Sequence, residues 1–168
     1  FESFTGFVHF HLHAACLQGL ADLALLNGDK KIKEYVIKAY EYGKSTGDTL
    51  VGFFPEGARM PDGSYASPGS VVSGYQPVEA CEVADMIITA MKLADAGYDS
   101  CWDDADKWIR NQFAEMQITK YDWVYRRMEE VTLPKITVSP NATGDHVAER
   151  AVGYFGSLCG PNEFIGGN

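Results

Sequence analysis

Residues 11–27, "HLHAACLQGLADLALLN", repeat apolar side chains at three- and four-residue steps. Leu12, Cys16, Leu20, Leu23 and Leu26 then fall on one line down a helix, and that spacing predicts a buried stripe. Gly28 and Asp29 follow at once: a glycine suits the left-handed residue that ends a helix, and an aspartate caps the next one. The next segment, "KKIKEYVIKAYEYGKSTG", places Ile32, Tyr35, Val36, Ala39, Tyr40 and Gly43 on one side and lysines on the other. The two stretches predict a helical hairpin.

The plan recurs further along. Residues 79–96 read as an apolar helix stopped at Gly97, after which "DSCWDDADKWIRNQFAEMQI" opens with an Asp or Ser cap. Its stripe is Trp102, Ala105, Trp108, Ile109, Phe113 and Met116. Helix, short Gly/Asp turn, helix describes both pairs, a weak structural repeat. Between them lies a Gly-, Pro- and Ser-rich loop from Asp48 to Gln76, long enough to read as functional or disordered. Beyond Ile118, "YDWVYRRMEEV" predicts a short helix, "LPKITVSP" an extended stretch, and "DHVAERAVGYF" a short helix or turn. The fold class expected is mostly α, in a single domain spanning residues 1–168.

Composition narrows the function classes. The 168 residues are 46% hydrophobic and carry a formal charge of −9 from scattered acids, which excludes an electrostatic nucleic-acid binder. No apolar run reaches the roughly 20 residues of a membrane span. Cys16, Cys81, Cys101 and Cys159 are too dispersed for a disulfide scaffold and read as buried or free thiols. Phe1 opens without a basic signal-peptide n-region, and the ends read as those of a processed chain or a fragment. The compartment is not legible.

Several residues carry candidate chemistry. His9, His11 and His13 alternate, so all three share a face on a strand, but only His9 and His13 on a helix; they read either as N-terminal surface histidines or as ligand contacts. Glu56, in "GFFPEG", sits beside Phe53, Phe54 and Pro55, where burial raises a carboxyl pKa as a general acid requires; an exposed loop glutamate is the alternative. Phe54 is a surface on which a sugar ring can stack. Glu79, Cys81, Glu82 and Asp85 sit at the mouth of an apolar helix, as capping groups and a buried thiol or as half of a metal and catalytic site. Glu79 and Cys81 form Glu-x-Cys, read either as a zinc half-site or as a helix-start carboxylate beside a packed thiol.

Taken in order, these segments resemble glycoside hydrolase family 127, the β-L-arabinofuranosidases. "GFVHFHLHAACLQGLADLALLNGD" is similar to the family's histidine-led helix: His9 precedes Gly19 by ten positions, and the Gly28-Asp29 pair follows nine later. "GFFPE", "VEACEVADM" and "KWIRNQFAEMQ" resemble its acid/base, Glu-x-Cys and Gln-bearing segments, so the likeness runs from residue 6 to 118. The resemblance implies an α/α toroid, of which this chain is a part (a partial barrel) and whose open helix faces favour a homo-oligomer. It implies a retaining glycosidase acting on a plant- or algal-type glycan. In that scheme Glu56 is the acid/base, His9 and His11 contact the sugar, and zinc is held by Glu79, Cys81 and Cys159. The nucleophile is a zinc-held cysteine, placed either at Cys159 in "LCGPN" or beyond Asn168. A non-catalytic carbohydrate-binding or assembly protein on the same scaffold is the alternative. A polysaccharide lyase, with Arg59, Arg126, Arg127 and Arg150 binding an acidic sugar, is the third.

Overall fold

The computed structural model describes residues 9–56, 78–130, 146–156, 158–160 and 163–164. The first hairpin is α1 (Phe10–Asn27) and α2 (Lys30–Ser45). Their junction follows local chemistry: Gly28 takes φ 65°, and Asp29 accepts hydrogen bonds from the Lys31 and Ile32 N–H groups. The second is α3 (Ala80–Asp95) and α4 (Ser100–Trp108), which turn at Gly97 with φ 95°. A π-helical turn, Ile109–Phe113, continues α4. Two short helices follow, α5 (Asp122–Glu130) and α6 (Val147–Arg150). The mostly helical expectation holds. The "LPKITVSP" segment lies outside the described residues.

The face α1 buries is not the expected one. Phe10, Ala14, Leu17, Ala21 and Ala24 are buried, whereas Leu12, Cys16, Leu23 and Leu26 are exposed, Leu26 to 84%. Leu20 is partly buried against the core. The helix is apolar nearly all round, so spacing alone does not select a side. Tertiary packing selects the small-residue face, where alanines let α2 and α3 approach closely. On α2, Val36, Ala39, Tyr40 and Gly43 are buried as expected and Ile32 packs at the edge, while Tyr35 is exposed.

Strands too short to show alternation complete the described fold: β1 (Val78–Glu79), β2 (Leu158–Gly160) and β3 (Glu163–Phe164) form an antiparallel sheet in that order. Val78 pairs with Cys159 and Glu79 with Leu158.

The expected α4 stripe also shifts. Cys101, Ala105, Trp108, Gln112 and Met116 are buried, and Trp102 and Ile109 are exposed. In the π turn that continues α4, the wider winding releases an N–H from the helical ladder. Gln112 donates that N–H to the Val51 carbonyl at 3.0 Å, and Trp108 Nε1 donates to the Thr49 carbonyl at 2.9 Å. Both bonds dock the loop 48–56 on α4. Glu56 is held by α1, where Phe10 N–H donates to its carbonyl at 2.9 Å.

Asp104 ties α2 to α4 from a nearly buried position. It accepts from Tyr40 Oη at 2.9 Å and from Lys44 Nζ at 2.6 Å, with Lys107 Nζ at 3.3 Å. These donors hold its carboxyl below the usual carboxylate range despite burial. Asp104→Ala strands the buried Tyr40 hydroxyl and a partly buried ammonium, and is expected to cost about 2–4 kcal/mol in denaturant unfolding. Tyr40→Phe, which leaves the ion pair in place, is expected to cost less than half of that; equal losses would contradict this ranking.

Candidate functional site

α1 and α3 lie side by side and run in the same direction. Partners along them advance together: His9 with Glu79, His11 with Asp85, and Asp22 with Lys92 one helix-length further on. Parallel packing of the first helices of two hairpins brings both N-termini to one end of the molecule. Most of the polar chemistry on these two helices collects there.

His9 precedes the first turn of α1 with extended backbone, and its Nε2 lies 3.0 Å from Glu79 Oε2. His11 Nδ1 lies 2.6 Å from Asp85 Oδ2, and Gln18 Nε2 donates to Asp85 Oδ1 at 2.6 Å. Cys81 Sγ donates to Glu79 Oε2 at 3.3 Å. The Glu79 N–H donates to Glu82 Oε2 at 3.0 Å, the capping interaction of a glutamate one turn into a helix.

Glu82 is the unusual member. It is wholly buried, and its Oε1 has no hydrogen-bond partner among the described residues. Burial pushes its carboxyl up to about 9; the Glu79, Glu56 and Asp85 carboxylates add to this, and the hydrogen bond from the Glu79 N–H opposes it. Glu82 is therefore a neutral acid at pH 7 in the metal-free chain. The Cys81 thiol is raised to about 12, first by burial and then by its bond to Glu79, so it is a thiol and not a thiolate. His13, beyond the cluster, is lowered to about 4 by burial, and lines an apolar cleft with Phe10, Leu17 and Met86.

The expected site residues divide clearly. His9, His11, Glu79 and Cys81 meet in one cluster, and Glu56 arrives at its border. Phe54 does not: it is fully buried, stacked 5.6 Å from Phe10 and edge-on to Trp108 at 4.9 Å. Its ring supports the Glu56 loop from below and offers no face to a sugar. The β1–β2 pairing brings the Cys159 backbone opposite Val78, next to Glu79, but the Cys159 side chain lies outside the described residues. Arg59 and the Arg127 side chain lie outside them too, and Arg126 pairs with Asp122 on its own helix.

No protein-family model, curated protein or solved structure matches the chain. The site therefore has to be read from its own geometry. His9, Glu79 and Glu82 each offer one ligand atom, all within 4.8 Å of one another, an arrangement able in principle to hold a metal ion. Sequence reasoning set Glu82 and Asp85 beside Glu79 and Cys81 at the mouth of the helix without assigning either a role, and passed over Gln18. A usable signal existed for two of them: Glu79, Glu82 and Asp85 recur every third residue on an otherwise apolar helix, which aligns acids along one face. Gln18 carries no such signal.

Proposed function

We propose that the chain is a glycoside hydrolase-like domain, part of an α/α toroid, acting on a plant- or algal-type glycan at the shared N-terminal end of α1 and α3. The observation that carries this reading is the parallel placement of those two helices, with two histidine–carboxylate pairs, a thiol and a buried acid gathered at their mouth. Hairpins joined into a ring set their first helices side by side in this way. The bordering Glu56 is the general acid of this reading, protonating the glycosidic oxygen. His11, Asp85 and Gln18 form a hydrogen-bonded row suited to sugar hydroxyls.

The cofactor in this reading is zinc at the Glu79 and Cys81 end of the cluster. Bound there, it supplies the positive charge that turns a thiol into a thiolate nucleophile. Cys81 is the thiol within the cluster, and the Cys159 backbone on β2 pairs with Val78. The exposed α1 stripe of Leu12, Cys16, Leu23 and Leu26 supports the associated proposal of a homo-oligomer, since another helix has to cover it to remove it from water.

A panel of aryl glycosides and neutral oligosaccharides tests the reading by turnover and by binding. The chain is expected to cleave at least one of them, and Glu56→Gln to lower kcat about 10²–10⁴-fold with binding retained. Binding without cleavage points instead to the carbohydrate-binding alternative, which the unionised Cys81 favours. Neither binding nor cleavage overturns the carbohydrate reading.

A further inference from the structure

We propose that His9 Nε2 and the carboxylates of Glu79 and Glu82 are the protein ligands of a single divalent transition-metal ion. The proposal keeps the ion at the mouth of α3 but moves it from Glu79 and Cys81 to these three ligands, and it rests on the functional reading only in choosing Zn²⁺ as the probe.

The geometry already approximates a coordination sphere. Donor atoms around a zinc ion at about 2.0–2.2 Å lie roughly 3.3 Å apart in a tetrahedron. His9 Nε2 and Glu79 Oε2 are 3.0 Å apart, and all three donors fit within 4.8 Å, so side-chain adjustments of an ångström or so suffice. The framework beneath them is fixed. Glu79 and Glu82 sit one turn apart at the start of α3, while His9 is anchored by the bond from Phe10 N–H to the Glu56 carbonyl.

Two further observations point to a cation rather than to a hydrogen-bonded acid cluster. Glu82 is wholly buried beside the other two donors and leaves Oε1 without a partner. A structural acid so placed ordinarily finds a donor for each oxygen. In addition, no Lys or Arg among the described residues pairs with Glu79, Glu82 or Asp85; their polar partners are His9, Cys81, the Glu79 N–H, His11 and Gln18. Buried carboxylates without a fixed cation are what a metal ion neutralises.

The ligand set differs from a Glu-x-Cys site. Cys81 Sγ bonds the same Glu79 oxygen that His9 approaches, but it is not in the group of donors that lie within 4.8 Å of one another.

Isothermal titration with Zn²⁺ and metal analysis after dialysis test the assignment on the full chain. One zinc per chain is expected. His9→Ala and Glu82→Gln should each weaken uptake about tenfold or more, while Cys81→Ser stays within about threefold. Circular dichroism of each metal-free variant checks folding. If Glu82→Gln does not fold, the half-exposed His9→Ala carries the comparison. Absence of zinc uptake, or variants of His9 and Glu82 that bind as well as the parent, overturns the proposal. So does loss of uptake in Cys81→Ser with His9→Ala unaffected, which places the ion on Glu-x-Cys and leaves the functional reading standing. Zinc uptake with the expected pattern but no glycan turnover or binding has the opposite meaning: the metal site stands and the carbohydrate reading falls.

Discussion

Gly52→Ala is expected to destabilise the chain by about 2–5 kcal/mol or to prevent folding, although it adds a single methyl group in a loop. Gly52 has φ 85°, a conformation that strains any residue with a Cβ. A Cβ built there meets Cβ, Cγ and Cδ1 of Trp108 at 2.7 Å. Trp108 cannot yield: it is fully buried, packs edge-on against Phe54, and is tethered through Nε1 to the Thr49 carbonyl. Strain and overpacking therefore add. The loop itself has little slack, because Asp48 and Phe53 exchange both backbone hydrogen bonds and Gly52 N–H also donates to the Asp48 carbonyl at 2.9 Å. Chemical denaturation measures the loss. Since Glu56 follows four residues after Gly52, any folded fraction should also lose the acid at the border of the cluster. Gly97→Ala is a useful control: φ is 95°, but nothing lies within 4 Å of an added Cβ, so only the backbone penalty of about 1–2 kcal/mol remains. Equal effects at the two glycines would remove the Trp108 contact from the explanation.

The second large effect is one of pH. In the metal-free chain the Glu82 carboxyl titrates near 9, against an ordinary value of 4.5. Between those values the folded chain keeps a proton that the unfolded chain has released, so raising the pH favours unfolding. Stability linked to Glu82 is thus fully present below about pH 4.5 and is lost progressively up to about pH 9. The span corresponds to a change on the order of 4–6 kcal/mol. The groups facing Glu82 are Glu79 and Asp85 on its own helix, Glu56, and His9 just before α1. Asp104 has the opposite sign: its lowered pKa contributes stability above the usual carboxylate range that disappears in acid, outside this window. His13, lowered to about 4, adds stability only as pH rises to about 6.5. Urea unfolding at pH 7, 8 and 9 with a chelator present should therefore show falling stability for the parent chain and a nearly flat profile for Glu82→Gln. A parent profile that is flat, or a slope that survives in Glu82→Gln, would falsify the assignment of a buried neutral acid.

What was legible in the sequence was local. The Gly28–Asp29 junction works through one positive φ and one side chain reaching two adjacent N–H groups, interactions that need no distant partner. The α2 face was legible because its lysines leave one apolar side. The α1 face was not, since a helix apolar on nearly every side gives spacing nothing to distinguish. The α4 stripe was legible in part: Ala105, Trp108 and Met116 are buried as expected, Cys101 takes the core position in place of Trp102, and the π turn at Ile109–Phe113 is bonded to Val51, some sixty positions earlier in the chain.

The candidate site divides in the same way. Glu-x-Cys and the alternating histidines were visible as residue types, and the spacing of the Glu79, Glu82 and Asp85 acids was there to be read. Whether they act together was not, because His9 and Glu79 are seventy positions apart and meet only through the parallel packing of α1 on α3. Phe54 shows the converse, an aromatic beside a candidate acid whose ring the tertiary structure spends on Trp108 and Phe10. By itself, then, the sequence determined the hairpins, their caps and the kinds of side chain available for chemistry, since these depend on contacts within one or two turns. Only the tertiary structure decided which face each helix buries, which acid is cut off from water, and which histidine stands beside which carboxylate. Those outcomes depend on the close packing of segments far apart in the chain, and burial, the main cause of the Glu82 shift, exists only once they have packed.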